Sequence, residues 1–285
     1  MSNPILSILV RKNTGELVPF EEKKLRSALH RSGASDEEID DILREVSDSL
    51  YDGISTRKIY DISYRILARR SQRAAGRFRL KKAILALGPS GYPFEHFVAK
   101  LFEYDGFQTS TGRLIQGRCV THEVDVLAEK PDKTLMAECK YHHVESRKND
   151  VKTSLYVHSR FEDIKAEWMN DPSNKGKIFE AFLITNTRFT EDAVQYAKCT
   201  GLHLISWDYP AGNSLKERID RSGFHPVTSL RSLQKKEIQA LLEKGIVLCR
   251  QIPENPAILE EIGLSTSRAG KTLKEAGELS GRVTE

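Results

Sequence analysis

The chain has 285 residues, 39% of them hydrophobic, so it can bury at least one sizeable core and has room for two or three domains. Its 44 basic and 40 acidic residues leave a formal charge of +4, which permits an anionic partner, but only local clustering would point to nucleic acid. Four cysteines without a CxxC pair suggest neither a zinc ribbon nor a disulfide framework, and no stretch approaches the roughly 18 apolar residues of a membrane span, so a soluble cytoplasmic protein is expected.

Residues 1–88 open with the alternating ILSILV, turn at Asn13-Thr14-Gly15 and resume as ELVPF, the pattern of a small hairpin. Three apolar stripes at helical spacing follow: Leu25, Ala28 and Leu29; then Ile39, Ile42, Leu43, Val46 and Leu50; then Ile59, Ile62, Ile66 and Leu67. Gly33 and Asp52-Gly53 interrupt them, and Gly88-Pro89-Ser90-Gly91 closes the segment as a linker. Arg11, Lys12 and Lys24 put positive charge around the hairpin and the next helix. The acid-free run Arg69, Arg70, Arg73, Arg77, Arg79, Lys81 and Lys82 is either a solvated helix or a surface for phosphates.

Residues 89–212 begin with an amphipathic helix carrying Phe94, Phe97, Val98, Leu101 and Phe102, after which the period changes. EVDVLAE and TLMAECKYH read as neighbouring strands; AFLITN and LHLISWD are later strand runs separated by the helical TEDAVQYAKCTG. Strands alternating with helices predict an α/β core. Residues 213–285 read as helical, with interruptions at Pro253-Glu254-Asn255-Pro256 and Ile262-Gly263-Leu264-Ser265; the two helical pairs look related to each other.

The strongest chemical signal is Asp125 followed by Glu138-Cys139-Lys140. A period of two puts Glu138 and Lys140 on one face, where Asp125 on an adjacent strand can meet them, with Cys139 facing the opposite side as a small core residue. Two carboxylates can hold a hard divalent cation such as Mg²⁺, and a lysine beside them can orient a water or stabilise developing charge on a phosphodiester. Taken singly, Asp125 and Glu138 read equally well as strand residues paired with lysines. Together, an acid in an apolar strand and an E-x-K on a buried one favour function, because unpaired buried charges are costly. Glu95, near the start of the amphipathic helix, can add a further carboxylate. His122 is either structural or a phosphate contact, and His142 and His143 read as a solvated loop or a DNA contact.

The runs FEHFVAKLFEYDGF, THEVDVLAE, LMAECKYH and FLITNTRFTEDAVQYAKCTGLHLISWD resemble the Mrr-like restriction endonucleases of the PD-(D/E)xK superfamily. That resemblance implies a restriction-endonuclease-like α/β core and Mg²⁺- or Mn²⁺-dependent cleavage of DNA. It makes Glu95 the helix glutamate, Asp125 and Glu138 the metal-binding acids and Lys140 the catalytic lysine. VRKNTG, Pro19-Phe20, Lys24-Leu25, Tyr51-Asp52-Gly53-Ile54 with Thr56, and RFRLKKAI resemble the ATP-cone, a regulatory domain with a hairpin lid over a helical bundle. The resemblance implies ATP or dATP as effector, with Val10, Arg11 and Lys12 on the lid, Lys24 at phosphate and Thr56 at the nucleotide. The family lid reads lysine then arginine, whereas here Arg11 precedes Lys12 and Asn13 follows it. No GxxxxGK[ST] loop occurs, so nucleotide is expected as effector and not as fuel.

IQALLEKGIVLCRQI and PAILEEIGLSTSRAGKTLKEAGEL resemble tandem helix-hairpin-helix motifs, whose turn amides hold DNA phosphates, with Arg268 and Lys271 beside the turn; protein docking competes with that reading. The expected protein is therefore multidomain α/β: an ATP-cone at 1–88, a PD-(D/E)xK nuclease domain at 89–212 and a small all-α domain at 213–285. Its expected partners are DNA and a nucleotide, and double-strand cutting makes a homo-oligomer the expected assembly. A structure-specific resolvase or repair nuclease, and a non-cleaving nucleotide-sensing regulator, are the alternatives.

Overall fold

The computed structural model describes residues 8–12 and 15–280, so Ile5 to Ser7 of the first expected strand and Asn13-Thr14 of its turn lie outside the described residues. β1 (Leu9–Arg11) pairs antiparallel with β2 (Leu17–Pro19) and parallel with β3 (Ile54–Ser55), giving a small sheet in the order β2-β1-β3. Around it lie α1 (Glu22–Arg31), α2 (Asp36–Ser47) and α3 (Thr56–Arg70), whose expected apolar stripes are buried on one another: Leu25 and Leu29, Ile39 to Val46, Ile59 to Leu67. Ser35 and Glu38 start α2 with a reciprocal capping box, which satisfies two backbone donors at the helix start.

The expected linker at Gly88–Gly91 is not where the packing changes hands. After α4 (Gln72–Phe78), the one-turn α5 (Leu80–Ile84) leaves the first bundle. Its Leu80 and Ile84, with Leu87, join Phe94 and Phe97 in the core of the following domain. The chain crosses from one core to the other near Arg79, about ten residues before the glycines.

That second core is built on a five-stranded sheet in the order β10-β8-β6-β5-β4. β4 (Gln108–Gln116), β5 (Thr121–Lys130) and β6 (Lys133–Lys140) run antiparallel, and β8 (Ile178–Thr185) and β10 (His203–Ile205) add on parallel to β6. A two-residue pair, β7 (Lys148–Asn149) with β9 (Arg188–Phe189), lies apart. α6 (Tyr92–Tyr104) covers one face through Phe94, Phe97, Val98 and Phe102, packing on Val126, Ala137, Phe182 and Ile184. α7 (Val151–Trp168) and α8 (Glu191–Thr200) cover the other, with Val157, Phe161 and Ile164 on Met136 and Leu183. β6, with neighbours on both sides and helices on both faces, is buried along six successive residues, Thr134 to Cys139, as a central strand must be.

α9 (Leu215–Ser222) seats Leu215 and Ile219 in the α6-side core. The remaining helices are α10 (Lys235–Glu243), α11 (Gln251–Glu254), α12 (Ile258–Glu261) and α13 (Thr266–Ser280), preceded by a 3-10 turn at Val227–Ser229. Their apolar residues continue the same core; the 3-10 turn meets α5, where Thr228 Oγ1 donates to the Ala83 carbonyl at 2.7 Å, and α13 reaches α4 of the first bundle. A Cβ on Gly76 of α4 would overlap the end of the Leu279 side chain of α13, which would have to shift to admit it.

Candidate active site

Glu138 and Lys140 project from the same face of β6, and the strand's own alternation lets Lys140 Nζ donate to Glu138 Oε1 at 2.5 Å. Asp125 reaches them because the β5–β6 ladder stops. The last paired residues are Val126 and Ala137. One step further on, where backbone bonds would continue, the Asp125 carboxylate accepts the Cys139 N–H through Oδ2 at 2.7 Å. A side chain thus replaces a ladder acceptor, and the strands part beside the acids.

Glu95 sits in the first turn of α6, half-buried, and its carboxylate makes no hydrogen bond or ion pair among the described residues. Burial and then the charges of Asp125, Glu123 and Glu138 push its pKa up to about 7. Asp125 is raised to about 6, again by burial first and by Glu138 second, with the Cys139 N–H and Lys140 opposing. These acids therefore feel one another and hold protons more tightly than free carboxyls do. Cys139 faces the α6 side as expected, its thiol pushed well up by burial.

The donor set is limited to hard oxygens. Among the described residues no three His, Cys, Asp or Glu side chains lie close enough to hold a metal ion, so a preformed all-protein cage is absent there. Mg²⁺ does not require one, since it is held by one or two carboxylates together with waters and substrate phosphates. Asp125, whose Oδ1 has no protein hydrogen-bond partner among the described residues, and Glu138 fit that pattern.

Two groups around the site escaped the sequence reading. Arg160 of α7 donates to Glu138 Oε2 at 2.7 Å and to the Glu123 carbonyl. Thr185, fully buried and opposite Lys140 in the β6–β8 register, donates to the Lys140 carbonyl at 2.6 Å. Asn149 and Asn186 extend this network to His142: Asn186 brackets the His142 backbone and Asn149 meets its ring at 3.0 Å. His142 is accordingly a structural residue and not a solvated loop member, and His143 reaches the Pro89 carbonyl at 3.3 Å. His122 pairs with Asp163 of α7 at 2.7 Å, and Asp163 also takes the Cys119 and Val120 amides, which holds its carboxyl down to about 2. The structural reading of His122 is the one the geometry favours.

In the N-terminal bundle, Val10 is 3% exposed and packs in the core, so its side chain anchors the hairpin from inside. Arg11, Lys12 and Lys24 are exposed; Lys12 pairs with Glu16 at 3.0 Å and Lys24 with Glu21 at 2.5 Å. The Arg11 guanidinium lies against Gly53, and Thr56 opens α3 beside its N-cap Ser55. Much of the basic run is already paired: Arg70 with Asp41, Arg79 and Lys82 with Asp61, Lys81 with Glu145. Arg69 and Arg70 are exposed, and these surface pairs are weak enough to leave both readings of the run standing.

At the C-terminal end the two glycine turns close alike. Ile246 N donates to Leu241 O and Gly245 N to Leu242 O; Leu264 N donates to Leu259 O and Gly263 N to Glu260 O. Both are Schellman motifs with a left-handed glycine, a helix ending that also occurs at Gly33 and Gly106 and so does not by itself relate the two pairs. The expectation for Arg268 is corrected: it forks onto buried Glu237 at 2.6 and 2.8 Å and onto the Ser232 carbonyl, so its donors hold α13 to α10 and are not offered to DNA. No helix among the described residues is long and apolar enough to cross a membrane.

A strand hairpin over a helical bundle is followed by a mixed sheet between helices, so the chain carries a small N-terminal bundle ahead of an α/β core. The family model of the ATP cone domain matches residues 8–82, and that of the AF1548-like C-terminal domain matches residues 225–280. An uncharacterized protein of Archaeoglobus fulgidus is 34% identical over 185 residues, which is 65% of this chain and 100% of that protein. The crystal structure of AF1548, a protein of unknown function, superposes with a TM-score of 0.56 at 33% identity over 67% of this chain and 99% of that one. The chain belongs to the AF1548-like family and carries an ATP-cone domain at its N-terminal end.

Proposed function

We propose that this protein is a divalent-cation-dependent DNA endonuclease of the Mrr-like, PD-(D/E)xK type, controlled by ATP or dATP at its ATP-cone. The observation that carries the reading is the meeting of Asp125, Glu138 and Lys140 where β5 and β6 part, with the unpartnered Glu95 near them. Asp125 and Glu138 would hold Mg²⁺ or Mn²⁺, which when bound polarises the phosphodiester and acidifies water. Lys140 then serves as a fixed positive charge for the attacking water and the developing phosphorane charge. Glu95, with a pKa near neutrality, can take or return a proton at the edge of the site.

The helical residues 213–285 are assigned to DNA through their turns. The turn amides of Gly245, Ile246, Gly263 and Leu264 are taken up by Schellman bonds, so the amides that open α13 at Ser265 and Thr266 are the ones that would meet phosphates in a helix-hairpin-helix role, without reading sequence. Cutting both strands usually takes two active sites, so a homodimer or larger assembly is part of the proposal. One observation favours the non-cleaving alternative: both oxygens of Glu138 are engaged, by Lys140 and by Arg160.

Nicking of supercoiled plasmid in Mg²⁺, with no nucleotide, ATP or dATP, tests the proposal. Wild type should nick, and Asp125→Ala and Lys140→Ala should each lose on the order of 10²–10³-fold or more. Equal cleavage by all three proteins sinks the site assignment, a blank wild type under every nucleotide returns the regulator, and rates indifferent to nucleotide remove the control by the cone.

A further inference from the structure

Arg160 occupies an unusual place. It lies on the buried stripe of α7, three residues from Val157 and four from Ile164, and its side chain is only 16% exposed. One guanidinium nitrogen holds Glu138 on β6, and the other holds the Glu123 carbonyl on β5. It therefore ties the two strands together beyond the point where their ladder ends. Its helix is pinned to the same strand start by Asp163, one turn on, through His122, Cys119 and Val120. Tyr156 lies beside the guanidinium, with its ring centroid at 5.5 Å.

The charge balance is as informative as the geometry. Glu138 is a buried carboxylate, and one cation would compensate it; it has two, on different oxygens. Removing the sole partner of a buried charge leaves that charge uncompensated, at high cost. With Arg160 in place, Lys140 can leave Glu138 without incurring that cost.

We propose that Arg160 is the positioning residue of the acid site: the resident counter-ion that fixes Glu138 through Oε2, so that Lys140 can turn to substrate and Oε1 can turn to the cation. This rests on the proposed metal-dependent reading of Asp125 and Glu138. It assigns opposite roles to two cations on one carboxylate. Lys140 competes with the divalent ion for Oε1, whereas Arg160 prepares the carboxylate for it.

The sign of one measurement distinguishes this from a passive ion pair. A positive charge near a cation site repels the cation, so on simple electrostatics removing Arg160 should tighten Mg²⁺. The positioning role requires the reverse. The concentration of Mg²⁺ giving half of the maximal thermal shift, read without any DNA, should rise about 10–100-fold in Arg160→Gln, in the range for residues that orient metal ligands. It should rise less in Arg160→Lys and fall in Lys140→Met. The Mg²⁺ requirement of nicking should move in parallel. An unchanged or lower half-saturation in Arg160→Gln, or equal values for Arg160→Gln and Lys140→Met, overturns the proposal. If Arg160→Gln does not fold, Arg160→Lys against wild type carries the same test, since it keeps the charge and loses the fork. A wild type that shifts with Mg²⁺ but does not nick sinks the nuclease reading while leaving Arg160 testable by the shift; a wild type with no shift at all sinks both.

Discussion

Glu95 is a half-buried carboxyl facing other carboxylates, and that fixes how the protein answers to pH. Its folded value of about 7 lies above the ordinary 4.5, and that of Asp125, about 6, above 3.8. Between those limits the folded chain binds more protons than the unfolded one, so stability falls as pH rises through the window and stays lower above it. Without added cation, the melting temperature should therefore decline from the ordinary carboxylate range to about neutrality. Glu95→Gln should flatten the decline, and Mg²⁺ should restore most at the upper end; circular-dichroism melts across a pH series read all three. A slope equal to wild type in Glu95→Gln would mean that the acids do not interact as described. At this scale the sequence was informative where period two sufficed: Glu138, Lys140 and the inward Cys139 follow from alternation on one strand. Arg160 was not legible, because its partners come from two other strands and its helix was not recognised.

The helices with clean apolar stripes, α1 to α3 and α6, and the strands β5 and β6 could be read from spacing. β4 could not, because an edge strand written QTSTGRLIQ has neither alternation nor β-branched density to distinguish it from a loop. α7 was hidden for another reason: its buried face is marked by Ser154, Val157, Phe161 and Ile164, while Leu155 and Tyr156 lie exposed off that stripe and blur its period. Had that stripe been followed from the N-cap Asp150, an arginine within it would have stood out as a side chain in need of a partner. Arg268 failed in the opposite way, since a basic residue after a glycine turn suggests phosphate, but Glu237 on another helix claims it. Arg268 first, with the Gln234 amide, holds Glu237 down to about 2. A lowered carboxyl contributes stability that is present above the ordinary glutamate value and is lost as pH falls toward 2. Arg268→Ala should thus melt a few degrees below wild type at neutral pH and converge with it in acid. An offset that persists unchanged into acid would assign the loss to packing instead.

The ATP-cone was visible in its motifs, but the way the segments dock was not, because it depends on single contacts far apart in the chain, such as Thr228 to Ala83 across 145 positions. The same docking supplies a route for the proposed control. The ATP-cone match ends at Lys82 inside α5, whose Leu80 and Ile84 belong to the sheet domain's core. Just beyond, the Leu85 carbonyl accepts the Tyr141 hydroxyl at 2.7 Å, and Lys81 pairs with Glu145 at 2.6 Å. Tyr141 follows Lys140 directly and packs against Phe94, the neighbour of Glu95. Under the proposed control, a movement of the cone on nucleotide binding would reach both sides of the acid site through these contacts.

The proposed activity depends on the acids holding a cation for cleavage. The most direct test is the cleavage rate of plasmid DNA against Mg²⁺ concentration for wild type and Glu138→Gln, each purified identically, with a chelator control. The expected result is a saturable Mg²⁺ dependence in wild type, abolished by the chelator, and little or no cleavage by Glu138→Gln. Cleavage by wild type that survives the chelator, or a Glu138→Gln curve that overlays it, would contradict the assignment of Asp125, Glu138 and Lys140 as the active site.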